Sequence, residues 1–291
     1  MPGRMNENYM SARPHSRRLG LVILLLLTGV LSLGLWLPSG ESSADDGLNV
    51  DILGGQGVAA ADEWPGRLSA DKASIFLWDQ YRRRLEEAAK QVRVAVYSTH
   101  SSESYTSSDG AAKLYGELGG VYRASEVMAE RLRAAGIGVV VDETIHDWPD
   151  WEKSYNNSLE TAQKLLKTYT ELDILIDMHR DAGVSRENSI VDIDGRTAAR
   201  VMLVVGSDQR YQHNNWRENE AFSQRIADIM DEMYPGLLRR VSVQSGRYNQ
   251  HVATNAILVE MGTTENTIEE VEYSARLLAN VLQRLLEDNE G

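Results

Sequence analysis

The sequence predicts an α/β domain with a mainly parallel sheet flanked by helices. Short apolar runs alternate along the chain with longer amphipathic stretches, which is typical of strands joined by crossover helices. The apolar runs are nearly continuous, as expected for strands that are covered on both faces. Helix stop signals, Gly136 and Pro235-Gly236, follow two of the amphipathic stretches. These observations together predict one α/β domain.

The individual elements follow from these patterns, taken in chain order. Apolar runs bounded by polar or turn residues predict strands at 92–98, 138–142, 173–178, 200–205 and 256–261. Apolar residues at helical spacing predict helices at 74–90, 121–135, 156–171, 217–233 and 266–287.

The N-terminal region predicts a membrane anchor. The run from Leu19 to Leu37 has no charged residue, and it is close to the about 20 residues that a helix needs to cross a bilayer. Arginines precede this run and acidic residues follow it, which places the N-terminus in the cytoplasm. A cleavable signal peptide is the alternative, because Ser42-Ser43-Ala44 resembles a cleavage site. Signal peptides usually have a shorter apolar run, so we favour an uncleaved anchor.

The chain is therefore expected to have four segments. Residues 1–18 form a basic cytoplasmic tail, and 19–38 form a transmembrane signal-anchor helix. Residues 39–72 are rich in Gly, Ser, Ala and Asp and are expected to be an extracytoplasmic linker. Residues 73–291 are expected to form the folded domain of a single-pass membrane protein, and this topology places that domain outside the cell membrane.

Composition excludes several classes of function. The net charge of −13 argues against a nucleic-acid partner, because phosphate binding needs a basic surface. The chain has no cysteine, so any metal must be held by His, Asp or Glu. Neither a glycine-rich phosphate loop nor a GxSxG nucleophile elbow is present, which argues against nucleotide-dependent enzymes and serine hydrolases.

Polar residues with metal-binding chemistry stand at three strand ends. His100 and Glu103 follow the first strand, His179 and Arg180 end the third, and Glu260 lies within the last. Catalytic zinc sites commonly use two His and one carboxylate, and a further carboxylate then acts as the base. A His at a strand end is more commonly a hydrogen-bonding residue, so the metal site and a purely structural role both remain open.

Other polar clusters are candidates for substrate binding. His146 follows the second strand, Asn214 lies in an amide-rich run before a helix, and Asn249 and Gln250 precede the last strand. The alternatives are a surface loop for His146, a helix-capping loop for Asn214 and a simple turn for the other two.

A series of short segments matches a known family, in order and over about residues 92–285. The segments are Tyr97 to Tyr105, His146-Asp147, Ser154-Tyr155, Ser158-Leu159, Ile176 to Ala182, Asn215-Trp216 with Asn219, Tyr234 to Leu237, Tyr248 to Gln250, Leu258 to Gly262, Asn266-Thr267 and Glu269-Glu270. These segments resemble the stage II sporulation protein P family of peptidoglycan hydrolases.

The resemblance implies a membrane-anchored enzyme with one Zn²⁺ that acts on bacterial peptidoglycan during engulfment of the forespore. It implies cleavage of the amide between N-acetylmuramic acid and L-alanine, possible cleavage of stem-peptide cross-links, and a fold similar to zinc-dependent amidases and exopeptidases. It further suggests a membrane-anchored lytic transglycosylase, stage II sporulation protein D, as a partner. The alternatives are a zinc carboxypeptidase or endopeptidase on wall peptides and a non-catalytic wall-binding scaffold.

The resemblance also assigns roles to the strand-end residues. It implies that His100 and His179 bind zinc and that Glu260 is the catalytic base. Glu103 is the expected third ligand, and Glu117 is the alternative, because related amidases place a glutamate near a helix start. Arg180 is expected to stabilise the oxyanion or to bind a stem-peptide carboxylate.

Overall fold

The structure, a computed structural model, describes residues 78–84, 88 and 91–289. These residues belong to one compact unit, Arg67–Gly291. The predicted cytoplasmic tail, transmembrane helix and linker, residues 1–72, lie outside the described residues. Among the helices that the structure describes, none is both long and apolar enough to cross a membrane.

Strands and helices alternate through the described domain. Residues 78–84 and 88 are helical, and the rest of the helix predicted at 74–90 lies outside the described residues. The elements that follow are β1 (Val92–Tyr97), α1 (Thr106–Asp109), α2 (Gly120–Ala134), β2 (Gly138–Val141), α3 (Ser154–Thr168), β3 (Ile174–Asp181), β4 (Ile190–Ile193), β5 (Arg196–Ala199), β6 (Val201–Gly206), α4 (Trp216–Met233), β7 (Leu238–Gln244), β8 (Ala256–Thr263) and α5 (Ile268–Asp288).

The main sheet confirms the predicted fold class. Its six strands have the order β2-β1-β3-β8-β6-β7. The first four of these strands are parallel to one another, and β6 and β7 are parallel to each other. The junction of β8 with β6 is antiparallel. The sheet is therefore mainly parallel, and the carboxyl ends of β6 and β7 lie at the edge opposite to those of the other four strands.

Three strands of the structure, β4, β5 and β7, are not predicted by the sequence pattern. β4 and β5 form a hairpin around Asp194 and Gly195, which both have positive φ angles, as a tight hairpin turn requires. β7 is an edge strand whose residues are all half-buried or exposed, so it lacks the continuous apolar pattern of the central strands.

The two faces of the sheet are covered differently. Helices α2, α4 and α5 pack on one face and form the large core with residues such as Val96, Met178 and Val259. On the other face α3 packs on β1 and β3, around Ala95 and Leu175. Over β8 and β6 this second face is contacted by the partly buried ring of Tyr248, from the loop before β8. Among the residues that the structure describes, no α-helix packs on this face over β6 and the adjoining part of β8, and in this sense the region beside β8 is sparsely covered.

The start of α5 is fixed to the end of β8 by a polar network. The side chain of Thr267 accepts a hydrogen bond from the Glu270 backbone, and Glu270 accepts one from the Thr267 backbone, which completes a capping box. Asn266 is fully buried, donates to Glu270 and accepts from the backbone of Thr263. This network satisfies the exposed amide groups of the first turn of α5.

We expect Thr267→Ala to lower the free energy of unfolding by about 1 kcal/mol, because the substitution removes the N-cap acceptor of the longest helix. Urea unfolding followed by tryptophan fluorescence measures this change. Thr170→Ala, at an exposed position, is the matched control and should change the stability by less than about 0.5 kcal/mol. Equal stability of both variants would contradict a capping role for Thr267.

Candidate active site

Strand register brings the predicted site residues together on the sparsely covered face of the sheet. His179 of β3 is the direct cross-strand partner of Glu260 on β8, and Asp177 is the partner of Leu258. Cross-strand partners in register point to the same face of a sheet, so His179, Asp177 and Glu260 lie side by side. Both His179 and Glu260 are inside their strands, and the site therefore extends from the strand ends onto the sheet face.

His100 lies on the loop after β1, close to His179. Its ring stacks on Trp151 with centroids 3.8 Å apart, and its centroid lies 5.3 Å from that of His179. Its Nδ1 atom is buried without a hydrogen-bond partner among the described residues. Burial and the neighbouring His179 lower its pKa to about 4. His100 is therefore a neutral imidazole that retains a lone pair at neutral pH.

His179 is held between two carboxylates. Its Nε2 lies 2.9 Å from Asp177 Oδ1, a distance typical of an ion pair but without hydrogen-bond alignment, and its Nδ1 lies 3.5 Å from Glu103 Oε2. Burial lowers the pKa of His179, but the charges of Asp177 and Glu103 outweigh burial and raise it well above its ordinary value. Asp177 is itself fixed by hydrogen bonds from the backbone and hydroxyl of Thr99, at 2.7 and 2.6 Å.

Glu103 is buried and interacts with both His179 and Arg180. Its carboxylate accepts hydrogen bonds from the Arg180 backbone at 3.2 Å and from the Arg180 guanidinium at 3.3 Å. Burial alone would raise the pKa of Glu103, but His179 and Arg180 lower it below its ordinary value. Glu117, the alternative ligand, is exposed. The structure therefore places Glu103 next to the histidines.

The structure gives Arg180 a different role from the predicted one. Its guanidinium donates to Glu103, to the Ser104 carbonyl at 3.1 Å and to the Ala112 carbonyl at 2.6 Å, and the residue is 5% exposed. These bonds tie the loop after β1 to β3. The expected contact with an oxyanion or a substrate carboxylate is not supported, because the guanidinium is occupied within the protein.

Glu260 has the properties of a general base that works near neutral pH. Its Oε2 atom is buried and has no hydrogen-bond partner in the described part of the chain. Burial raises its pKa from 4.5 to about 7, and the nearby Glu103 contributes in the same direction. A carboxylate with a pKa near 7 can both accept and return a proton at physiological pH.

The donor set has the chemistry of a zinc site but is not fully preassembled. Two ligands of one tetrahedral zinc ion stand about 3.4 Å apart, close to the 3.5 Å between His179 Nδ1 and Glu103 Oε2. The partnerless Nδ1 of His100 supplies a third candidate donor. Within the described residues, no group of three or more His, Asp or Glu side chains is arranged to hold a metal as it stands. The residues fit zinc by type and by the spacing of one pair.

The contacts of His146 favour a structural role over the predicted substrate-binding role. The residue is 1% exposed, and its two ring nitrogens lie 2.8 Å from the Ser98 carbonyl and 2.8 Å from the Thr161 hydroxyl. Both nitrogens are thus satisfied inside the protein, where the ring links the end of β1 to α3. His146 is structural.

Asn249, Gln250 and Asn214 also differ from their predicted substrate-binding roles. Asn249 donates to the Tyr155 carbonyl and the Ser158 hydroxyl, and Gln250 bridges the backbone of Gly206 and Val204. These bonds hold the loop that carries Tyr248. Asn214 is exposed after β6, whose carboxyl end lies at the opposite edge of the sheet from His100. Its amide oxygen accepts a hydrogen bond from Gln212, and the structure shows no hydrogen bond between Asn214 and the candidate site residues that it describes.

The structure places Asp177, Trp151 and Tyr248 around the candidate ligands. Of these three, the sequence indicated only Tyr248, as part of a segment that could reach the site or form a turn. Asp177 was detectable as a charged residue inside an apolar strand, because burying an unpartnered carboxylate is costly. Trp151 begins a short 3₁₀ helix and Tyr248 lies on a loop, and no local pattern indicates that their rings contact His100 or the face beside Glu260.

Comparison with known proteins gives a consistent family match. The family model for Stage II sporulation protein P matches residues 58–283. Stage II sporulation protein P of Bacillus subtilis (strain 168) is 28% identical over 215 residues, which cover 68% of this chain and 52% of that protein. The chain thus spans about half the length of this curated relative.

Two solved N-acetylmuramoyl-L-alanine amidases are more distantly similar. AmiC2 of Nostoc punctiforme has a TM-score of 0.42 and 13% identity, and the match covers 68% of this chain and 98% of AmiC2. The amidase of Clostridium difficile 630 has a TM-score of 0.41 and 14% identity over 69% of this chain and 98% of its own. At these low TM-scores the likeness bears on neither mechanism nor substrate.

The raised pKa of Glu260 predicts a pH-dependent effect on the stability of the metal-free protein. The folded state binds this proton more tightly than the unfolded state, so the resulting stabilisation is complete below about pH 4.5 and is lost as the pH rises through about 7. Glu260→Gln should therefore be more stable than the native chain at about pH 8, by up to about 3 kcal/mol, and similar at about pH 4. Urea unfolding with a chelator measures both differences. A pH-independent difference would contradict the raised pKa.

The buried pair of Arg180 and Glu103 predicts a large effect on stability. Arg180→Gln should lower the free energy of unfolding by about 3 kcal/mol, because it leaves a buried carboxylate without its main partner. The double variant Arg180→Gln, Glu103→Gln should lose less than the sum of the single variants. Arg284→Gln, which breaks an exposed pair with Asp288, is the control and should change the stability far less than Arg180→Gln. A small loss for Arg180→Gln would exclude the structural role.

Proposed function

The chain belongs to the stage II sporulation protein P family, and from this premise we propose that it is a zinc-dependent peptidoglycan hydrolase of sporulation. Its proposed reaction is hydrolysis of the amide between N-acetylmuramic acid and the L-alanine of the stem peptide. The observation that supports it best is the adjacency of Glu260, with its partnerless oxygen and a pKa of about 7, to the pair of His179 and Glu103.

In this proposal His100, His179 and Glu103 hold the zinc ion. When bound, zinc supplies Lewis-acid chemistry, polarising the scissile carbonyl and lowering the pKa of water. Metal ligands must be deprotonated. The low pKa of His100 keeps its imidazole neutral, and the lowered pKa of Glu103 keeps its carboxylate ionised. Asp177 orients the His179 ring from the side opposite to Glu103.

Glu260 performs the proton transfers. Its carboxylate accepts the proton of the attacking water and then delivers it to the amide nitrogen that leaves. Its position in a central strand, directly across from His179 on the neighbouring strand, fixes the distance between the base and the ligands. Arg180 keeps Glu103 in place by anchoring the loop after β1, and thereby acts on the reaction through the ligand.

The sparsely covered face around β8 would admit the substrate. The loop that carries Tyr248 is fixed by Asn249 and Gln250, so this side of the opening is rigid. The N-terminal anchor would keep the domain outside the cell membrane, within reach of the wall. A membrane-anchored lytic transglycosylase such as stage II sporulation protein D remains a proposed partner.

Digestion of purified sacculi, followed by mass spectrometry of the soluble products, tests this proposal. An amidase releases whole stem peptides from intact glycan, whereas an endopeptidase or carboxypeptidase releases shorter peptides. Glu260→Gln should abolish digestion while the protein still binds about one zinc ion, as measured by metal analysis after dialysis. Chelation should abolish the activity, and added zinc should restore it.

The outcomes separate the alternative functions. Normal digestion by Glu260→Gln would exclude this residue as the base. Shorter peptide products would indicate a peptidase of the wall. No digestion and no bound metal in the native protein would instead support a wall-binding scaffold.

A further inference from the structure

Strand register aligns four side chains in one row across the sparsely covered face. His179 is the partner of Glu260, Glu260 is the partner of Met202, and Met202 is the partner of Arg240 on the edge strand β7. Partners in register share a face of the sheet, so the row continues from the candidate catalytic residues directly to Arg240. A bulge between β6 and β7 adds Arg239 beside the row.

We propose that Arg240 binds a carboxylate of the peptide substrate and so determines the specificity of the site. This inference rests on the proposed function, because it names the residue that contacts the peptide part of the same substrate. The bound group would be a free carboxylate that lies two to three residues from the scissile amide.

The charge of Arg240 is uncompensated, in contrast to that of its neighbour. Arg239 forms an ion pair with Asp181 and is largely buried. Arg240 is exposed, and its Nε lies 3.3 Å from the thioether sulfur of Met202, with no acidic partner among the residues that the structure describes. The protein has a net charge of −13, so most of its surface repels anions. An arginine without an acidic partner at the rim of the site attracts an anion to that position.

The spacing of the row gives the position of the carboxylate. Neighbouring strands lie about 4.8 Å apart, so β7 is about 10 Å from β8. An extended peptide advances about 3.3 Å per residue, so about three residues span this distance. A peptide cleaved beside Glu260 would therefore place a carboxylate of its second or third residue near Arg240, whose planar guanidinium suits bidentate binding of a carboxylate.

The sheet face between the two ends of the row is apolar. Met202 separates Glu260 from Arg240, and Val204, Leu258 and Tyr248 lie beside it. These apolar groups contain no charge that would repel or compete for the carboxylate. Arg239, beside the row, is already paired with Asp181, so Arg240 is the arginine of the row that remains available to a carboxylate.

Steady-state kinetics with two soluble substrates tests the inference. The first is a disaccharide–tetrapeptide monomer with free carboxylates, and the second is the same compound with those carboxylates converted to amides. The native protein should show a KM about tenfold lower for the free acid, equal to about 1.4 kcal/mol, with a kcat that changes by less than about twofold. Arg240→Gln should have, for both substrates, the KM that the native protein has for the amidated substrate. The variant should therefore not discriminate between the two substrates.

Two further variants complete the experiment. Arg240→Lys keeps the charge and should retain part of the discrimination. Arg217→Gln removes an exposed arginine of α4 that contacts Trp216, and it should behave like the native protein.

The failure of the inference is distinguishable from that of the proposed function. If the native protein cleaves both substrates with the same KM, or if Arg240→Gln still discriminates, then Arg240 does not bind the carboxylate although the enzyme is confirmed. If the native protein with zinc cleaves neither substrate but digests sacculi to shorter peptides, or has no activity, the proposed amidase function fails and the inference fails with it.

Discussion

The buried carboxylate of Glu103 is the group on which the candidate site depends. It lies on a loop without regular structure, yet it contacts His179 and is bonded to the backbone and side chain of Arg180. The same arginine holds the Ser104 and Ala112 carbonyls, so the loop is fastened to β3 at several points. A buried arginine and carboxylate tolerate little displacement, because either one alone would be an unpaired charge in a poorly solvated environment. The rigid placement of the loop follows from this electrostatic constraint.

The two faces of the sheet are covered unequally, and this asymmetry leaves room for the candidate site. Three helices cover one face, and their apolar residues form the core that stabilises the sheet. The other face is packed by α3 at β1 and β3 but is sparsely covered beside β8. Glu260 can therefore be half-buried, desolvated enough to raise its pKa to about 7 and still reachable from outside. A strand covered by helices on both faces could not offer a base to a bulky substrate.

Sequence reasoning predicted residues by type better than by role. His100, His179, Glu103 and Glu260 were chosen because strand ends of parallel sheets converge, and the structure brings them together. His146, Asn249 and Gln250 have the same polar character, but their hydrogen bonds are used inside the protein. Neighbours in three dimensions decide whether a side chain already has its hydrogen-bond partners. A sequence pattern therefore cannot distinguish site residues from polar residues that are bonded inside the protein. The strand β7 was missed for a related reason, since an edge position removes the continuous apolar signal.

The sequence by itself determined the α/β class, the central strands, the packed helices and the chemical types in the site, because periodicity and residue type are local properties. It also predicted the apolar N-terminal anchor, which lies outside the described residues. Only the tertiary structure decided that Arg180 supports Glu103, that Asp177 contacts His179, and that His179, Glu260, Met202 and Arg240 form one row. These relations depend on strand register and on contacts between residues far apart in the chain, which local sequence patterns do not specify.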